Sequence, residues 1–235
     1  MLIAAFLISL IPSICIYLFL RNRILDDQTY RSTCGKALIY GFLSVVPVIL
    51  MSFIFSLVER FLAKDLLGPV AKEFFHAYLV LALSEELGKY FMLQKLLKKI
   101  PQPYTYISVI TGMTLIGLGF GLFEDIPYAL FTNAGQMLVR GVLAMHAGYG
   151  YIMGCLTVKH MKRTGKRFSF AALIIPVLLH GTYDCFLSEE LSEVTDLAVF
   201  LPVLLAVFGA AVLIHMFVFL RKHRNDPEYT LPAVL

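Results

Sequence analysis

Residues 107–131 read ISVITGMTLIGLGFGLFEDIPYALF, with no charged side chain before Glu124. A helix needs roughly 20 mainly apolar residues to cross a bilayer, and this run supplies them. Outward from it, comparable runs cover 2–20, 38–58, 74–94, 137–158, 168–187 and 196–220. The composition agrees: of 235 residues 59% are hydrophobic, only 15% are charged and none is tryptophan, and the mean hydropathy is +0.78. A soluble domain carries about a quarter charged residues, so a soluble fold is excluded. Seven spans use nearly the whole chain. The expectation is an all-α polytopic membrane helix bundle forming one domain over 1–235, with no linker, repeat or low-complexity segment.

Lys and Arg stay on the cytoplasmic side of membrane proteins, while acidic residues matter less. Arg21, Arg23, Arg31 and Lys36 follow the first span, and Lys95, Lys98 and Lys99 follow the third. Lys159, Lys162, Arg163, Lys166 and Arg167 follow the fifth, and Arg221, Lys222 and Arg224 the seventh. The alternate connections hold Arg60, Lys64 and Lys72 beside Glu59, Asp65 and Glu73, then the acidic stretch with Glu189, Glu190, Glu193 and Asp196. This predicts an amino terminus outside and a carboxyl terminus in the cytoplasm. Residues 2–20 read as an uncleaved span, since the Arg pair follows the apolar run instead of preceding it. The net charge of +4 then reflects topology and anionic headgroups and does not point to nucleic acid. Four cysteines without CxxC spacing give no disulfide framework.

Four polar clusters interrupt the apolar runs: Ser84-Glu85-Glu86-Leu87-Gly88-Lys89, Phe123-Glu124, His146, and His180-Gly181-Thr182-Tyr183-Asp184. A carboxylate at mid-bilayer costs about 3 kcal/mol on insertion scales, and intramembrane ionisable residues mark functional sites. At about 1.5 Å of rise per residue, Glu85, His146 and His180 fall roughly 10–16 Å below the outer boundary of their spans. Glu124 joins that level only if its helix continues through Pro127 to about Phe131, with a kink at the proline. Residues three, four, seven and eight apart share a helix face. Gly117, Gly121, Glu124 and Tyr128 therefore form one stripe, and His146, Gly150 and Gly154 a second. Pro176, His180 and Asp184 form a third, and Glu85, Gly88 and Lys89 a fourth. Small residues at such spacing let helices approach closely in lipid, so the polar groups are expected to meet in one cavity facing protein.

A carboxylate in an apolar cavity is a competent general base for water, and Lys89, at i+4 from Glu85 and i+3 from Glu86, can hold one of the pair charged. Imidazoles orient water, donate to an oxyanion or bind a divalent metal beside a carboxylate. The set suits amide hydrolysis inside the membrane. Carboxylates and histidines also build proton relays, so an ion- or proton-coupled transporter is a second reading, and a noncatalytic membrane scaffold a third. Structural readings stand beside these. Glu85 with Lys89 also reads as a structural ion pair, and Glu124 and Asp125 as the outer end of their span, with Asp125 interfacial. Arg140 reads as a snorkelling cation. His76, His160, His215 and His223 read as ordinary histidines near span ends, in a basic loop or without polar company.

The EExxK of Glu85, Glu86 and Lys89, the FE of Phe123 and Glu124, the lone His146 and the HxxxD of His180 and Asp184 resemble the PrsW family of bacterial intramembrane proteases. That family is related to the CAAX prenyl endopeptidases and abortive-infection proteins. CAAX endopeptidases more often show EExxxR and HxxxN, so a prenylated substrate is not favoured. The resemblance covers spans three to six. It implies cleavage of a membrane-anchored anti-sigma factor on the extracytoplasmic side, in a multi-pass protein of the bacterial plasma membrane. By the same resemblance Glu85 is the water-activating base, Glu86 its partner and Glu124 a supporting acid or ligand. His146 and His180 orient water, stabilise an oxyanion or bind metal, and Asp184 orients His180. No HExxH is present. A divalent metal such as zinc is left open, with Glu85, Glu124, His146 and His180 as its candidate ligands.

Overall fold

Lipid offers a spanning backbone no partner but itself, and the computed structural model is built of helices, with no strand among its described residues. Those are 2–23, 28–63, 66–99, 105–131, 144–188 and 193–223, with positions 133, 135, 137, 191 and 226 between or beyond them. The elements are α1 (Leu2–Arg23), α2 (Gln28–Leu43), α3 (Val45–Val58), a π-helical turn (Glu59–Ala63), α4 (Pro69–Phe75), a π-helical segment (His76–Leu83), α5 (Ser84–Lys99), α6 (Tyr106–Phe131), α7 (Met145–Thr164), α8 (Phe170–Phe186) and α9 (Leu197–Lys222). They make seven rods, because α2 runs into α3 through Ser44 and α4 runs into α5 through the π segment. Among the described residues four rods are long and apolar enough to cross a membrane, over Ile3–Asn22, Arg31–Phe61, Tyr106–Phe131 and Phe200–Lys222.

Helix α6 is the centre of the bundle. Its most apolar window is 72% buried inside the protein, against 28%, 22% and 17% for the windows on α1, α2–α3 and α9. Those three rods therefore keep broad apolar faces such as Ile11, Ile49, Phe53 and Val207 on the outside. Glycines set the distance between α6 and its neighbours. A Cβ on Gly41 of α2 would run into the carbonyl oxygen of Ile116, and one on Gly119 into that of Leu38. On the opposite side Gly150 of α7 lies against the Met113 carbonyl and Gly154 against Cα of Ile110. The Gly117, Gly150 and Gly154 stripes thus meet as expected from their spacing.

Three boundaries differ from the sequence expectation. The run 38–58 is the middle of a longer rod, and 74–94 is the middle of Pro69–Lys99, opened by Pro69 in the first helical turn, where its missing N–H costs nothing. The third difference is larger. Over the predicted helix 137–158 the described helix runs from Met145 to Thr164, where Gly165 takes a left-handed φ of 68°, the usual helix stop; Met137 is itself helical, and residues 138–143 lie outside the described residues. Ala144 just before the helix has φ 39°, a conformation that L-residues other than glycine rarely adopt, and it breaks the chain's helical path. His146 therefore sits in the first turn of α7, not nine residues into it. Arg140 lies outside the described residues.

The π segment is tied to α3. Ser52 Oγ of α3 donates to the Val80 carbonyl oxygen at 3.0 Å, an external partner inside the ladder. Such segments concentrate at functional sites, and this one ends directly before Glu85.

Gly41→Ala is expected to cost about 1–3 kcal/mol through overpacking, read as a lower unfolding midpoint in detergent. Gly35→Ala, with nothing within 4 Å of the added methyl, is expected to be neutral or slightly stabilising through helix propensity. Equal midpoints for the two variants would contradict the close crossing.

Candidate active site

Four rods deliver the polar groups to one place. Helix α5 brings Glu85, Glu86 and Lys89, α6 brings Glu124, α7 brings His146, and α8 brings His180 and Asp184. The π segment docks α8 beside them: the Tyr78 ring occupies the space a Cβ on Gly181 would need, 2.6 Å from Cδ1, and the Tyr78 hydroxyl bonds Thr182 at 2.6 Å. One turn beyond Glu86 on α5 the Tyr90 hydroxyl accepts from the Ser169 N–H at 2.8 Å. Ser169 Oγ in turn accepts from the Ala172 N–H and caps α8.

A continuous polar chain results. Glu124 Oε2 meets His146 Nε2 at 2.7 Å, and His146 Nδ1 lies 3.0 Å from Lys89 Nζ. Lys89 Nζ donates to Glu86 Oε1 at 2.7 Å, which also faces His180 Nδ1 at 2.9 Å. His180 Nε2 then meets Asp184 Oδ2 at 3.1 Å and, more distantly, Glu85 Oε2 at 3.8 Å. Glu85 Oε2 is also 3.5 Å from Lys89 Nζ. An ammonium has only protons to offer, so His146 Nδ1 accepts from Lys89 and the His146 proton sits on Nε2, directed at Glu124. Glu86 and Lys89 have no exposure, whereas the Glu85 side chain keeps 10%. Of the acidic pair, Glu85 is the loosely held one.

Aromatic rings wall the cluster. Phe120 packs edge-on to His146 at 5.1 Å and lies under Lys89 Nζ at 4.2 Å. Tyr149 stacks on His180 with centroids 5.1 Å apart. Room for the His146 ring comes from Gly121, where a Cβ would press on Cδ2 at 3.1 Å, and from Gly117, where one would strike the His146 carbonyl.

Helix α6 does run unbroken past Pro127 to Phe131, and that continuity brings Glu124 to His146. The site differs from expectation in three respects. Asp125, read as interfacial, is buried at 5% exposure. Glu124 stands behind His146 on its second nitrogen, while the four groups whose donor atoms lie within 4.8 Å of one another are Glu85, Glu86, His146 and His180. Glu86 thus takes the place among the candidate ligands that the sequence gave to Glu124. His76, read as an ordinary histidine, pairs with Glu59 at 3.1 Å outside the cluster, and His215 bonds Tyr151 at 2.9 Å. Tyr149 and Phe120 escaped the sequence reading. The only hint was that Tyr149 lies three residues after His146, on the same helix face.

Residues 30–220 match the model of the PrsW family, described as intramembrane metalloproteases. This chain belongs to the PrsW family. Protease PrsW of Halalkalibacterium halodurans is 31% identical over 157 residues, 65% of this chain and 68% of the relative. Protease PrsW of Bacillus subtilis is 30% identical over 172 residues, 70% and 75% of the two chains. Protease PrsW of Shouchella clausii is 28% identical over 187 residues, 78% and 83%. No solved structure matches. The PrsW match includes every rod that contributes to the cluster, and with its apolar helices the chain is a membrane-embedded peptidase, a multi-pass bacterial membrane protein.

The residues fit a divalent metal of the kind the PrsW family description implies. Two imidazoles and two carboxylates are a zinc donor set, and bonds of about 2.0–2.1 Å place tetrahedral ligand atoms about 3.3 Å apart, so the four donors need draw in only modestly. Glu86 Oε2 is buried without a hydrogen-bond partner among the described residues. Both imidazoles also turn one nitrogen to a carboxylate outside the acidic pair, Glu124 and Asp184, the arrangement that orients ligating histidines. Lys89 already holds His146 Nδ1 and Glu86 Oε1; a cation can share the carboxylate oxygen with the ammonium, but to use the single lone pair of His146 Nδ1 it would have to displace the ammonium.

Lys89→Met is expected to destabilise the protein by about 3–5 kcal/mol, the cost of leaving a buried carboxylate uncompensated. A denaturation midpoint in detergent equal to wild type would contradict the buried pairing.

Proposed function

We propose that this chain hydrolyses a peptide bond of a membrane-anchored protein substrate, an anti-sigma factor by family resemblance, with Glu85 activating water on the extracytoplasmic side. The observation that carries the reading is the convergence of Glu85, Glu86, His146 and His180 within 4.8 Å in a chain of the PrsW family. Seven spans with the amino terminus outside complete the proposal. It is supported by the basic residues grouped after spans one, three, five and seven.

Roles follow from how tightly each group is held. Glu86 is fixed by Lys89 and His180, so it positions its neighbours. Glu85 has only the longer contacts and a partly open side chain, which leaves it able to take a proton. The water oxygen attacks the scissile carbonyl carbon as Glu85 accepts its proton. The tetrahedral adduct then collapses with cleavage of the C–N bond, and Glu85 returns the proton to the departing amine. His146 and His180, held in place by Glu124 and Asp184, shape the space in which Glu85 meets the water and keep the acidic pair aligned. A divalent metal held by Glu85, Glu86, His146 and His180 would polarise the carbonyl and acidify the water.

Co-expression with a membrane-anchored anti-sigma factor tests the reading. Glu85→Gln, His146→Ala and His180→Ala are each expected to lower cleavage at least 10²-fold, the scale of general acid–base contributions, with membrane insertion unchanged. Cleavage at the wild-type rate by all three variants would overturn it. For the metal, the purified protein is expected to contain zinc or a related ion by elemental analysis, to lose activity with chelator and to regain it on metal return. Full activity without bound metal would remove the metal from the proposal.

A further inference from the structure

Four buried side-chain atoms have no hydrogen-bond partner among the described residues: Glu86 Oε2, Thr111 Oγ1, Tyr149 Oη and His160 Nε2. A buried hydroxyl without a partner is rare in proteins, and each case calls for a reason. Glu86 Oε2 and Tyr149 Oη belong to the same cluster. The Tyr149 ring stacks on His180 at 5.1 Å with 23° between planes and stands 6.2 Å from His146. Its hydroxyl lies in the field of Asp184, Glu86 and Glu85, and only 4% of the residue is exposed. The imidazoles are fully engaged, His146 by Glu124 and Lys89, and His180 by Glu86 and Asp184. Lys89 likewise spends its protons on Glu85, Glu86 and His146. The cluster is rich in acceptors, and among the described residues Tyr149 contributes a buried neutral O–H donor with no hydrogen-bond partner.

Hydrolysis of an amide creates an anion on the carbonyl oxygen, and stabilising it requires a donor already in place. We propose that Tyr149 is a further catalytic residue, its phenolic O–H donating a hydrogen bond to the oxyanion of the tetrahedral adduct. This rests on the hydrolase reading given above. The phenol keeps its proton throughout: the hydrogen bond forms as negative charge reaches the carbonyl oxygen and is released when the C–N bond breaks. Stacking on His180 fixes the ring, so the donor needs no reorganisation when charge develops.

The test compares purified full-length wild type, Tyr149→Phe and Glu85→Gln on a membrane-anchored substrate in detergent. Tyr149→Phe keeps the stack on His180 and removes only the hydroxyl. It is expected to lower kcat 10²–10³-fold, the range for loss of one oxyanion donor, with KM within about twofold, since the interaction forms only in the transition state. Substrate affinity measured in the Glu85→Gln background is expected to be the same with Tyr or Phe at position 149. Tyr151→Phe, on the same helix but bonded to His215, serves as the control and is expected to retain full activity. Where Tyr149→Phe lowers the unfolding midpoint, 4-aminophenylalanine installed at position 149 decides: it keeps the shape and an N–H donor and is expected to retain most of the activity. Wild-type kcat for Tyr149→Phe, or a folded aminophenylalanine chain as inactive as the Phe variant, overturns the proposal. In that case an inactive Glu85→Gln leaves the hydrolase reading standing, whereas an active Glu85→Gln removes the reading itself.

Discussion

The ammonium of Lys89 has no contact with solvent, and the polar centre of the molecule is arranged around it. Taking such a charge out of water costs several kcal/mol, which this chain offsets with a short bond to Glu86, a longer one to Glu85, an acceptor nitrogen on His146 and the face of Phe120. Glu86 and His146 are fixed in turn by His180 and Glu124, while Glu85 stays the loosely held partner. The result is a set of four carboxylates, two imidazoles and one lysine joined by continuous polar contacts. Because Lys89 fastens Glu86 and only touches Glu85, two adjacent and chemically identical residues acquire different duties.

That arrangement depends on helices lying closer than ordinary side chains permit. Helix α6 passes α2 through Gly41 and Gly119, and passes α7 through Gly117 and Gly150, with backbone against backbone. In a membrane, where lipid tails compete equally for apolar surface, such close contact is a main source of helix association. The same glycines carry function. Gly117 and Gly121 leave the space that the His146 carbonyl and ring occupy, so the packing of α6 on α7 and the aim of His146 toward Lys89 and Glu124 are one constraint seen twice.

Much of this was legible in the sequence because lipid imposes simple rules. Apolar runs of the required length mark the rods, and charged residues inside them stand out as expensive exceptions, so Glu85, Glu86, Glu124, His146 and His180 announce themselves. Helix spacing placed the glycines on the same faces. Less legible were features that depend on contacts between rods. The start of α7 follows from the left-handed turn at Ala144, which no residue type there signals, and the π segment is tied to Ser52 on another helix. That Glu86 and not Glu124 is among the four converging donor groups depends on how the helices are rotated against one another: Glu86 faces Lys89 and His180, and Glu124 reaches only the far nitrogen of His146. Tyr149 was hidden because a tyrosine in an apolar helix is usually packing material.

The most direct test of the account reconstitutes the purified protein in liposomes as the sole protease, with a membrane-anchored substrate, and maps the cut by mass spectrometry. Cleavage of a bond at the exterior end of the substrate's span, absent when Glu85 is replaced by Gln, is the result the account requires. A cut on the cytoplasmic side, or an unchanged cut without the Glu85 carboxylate, would contradict it.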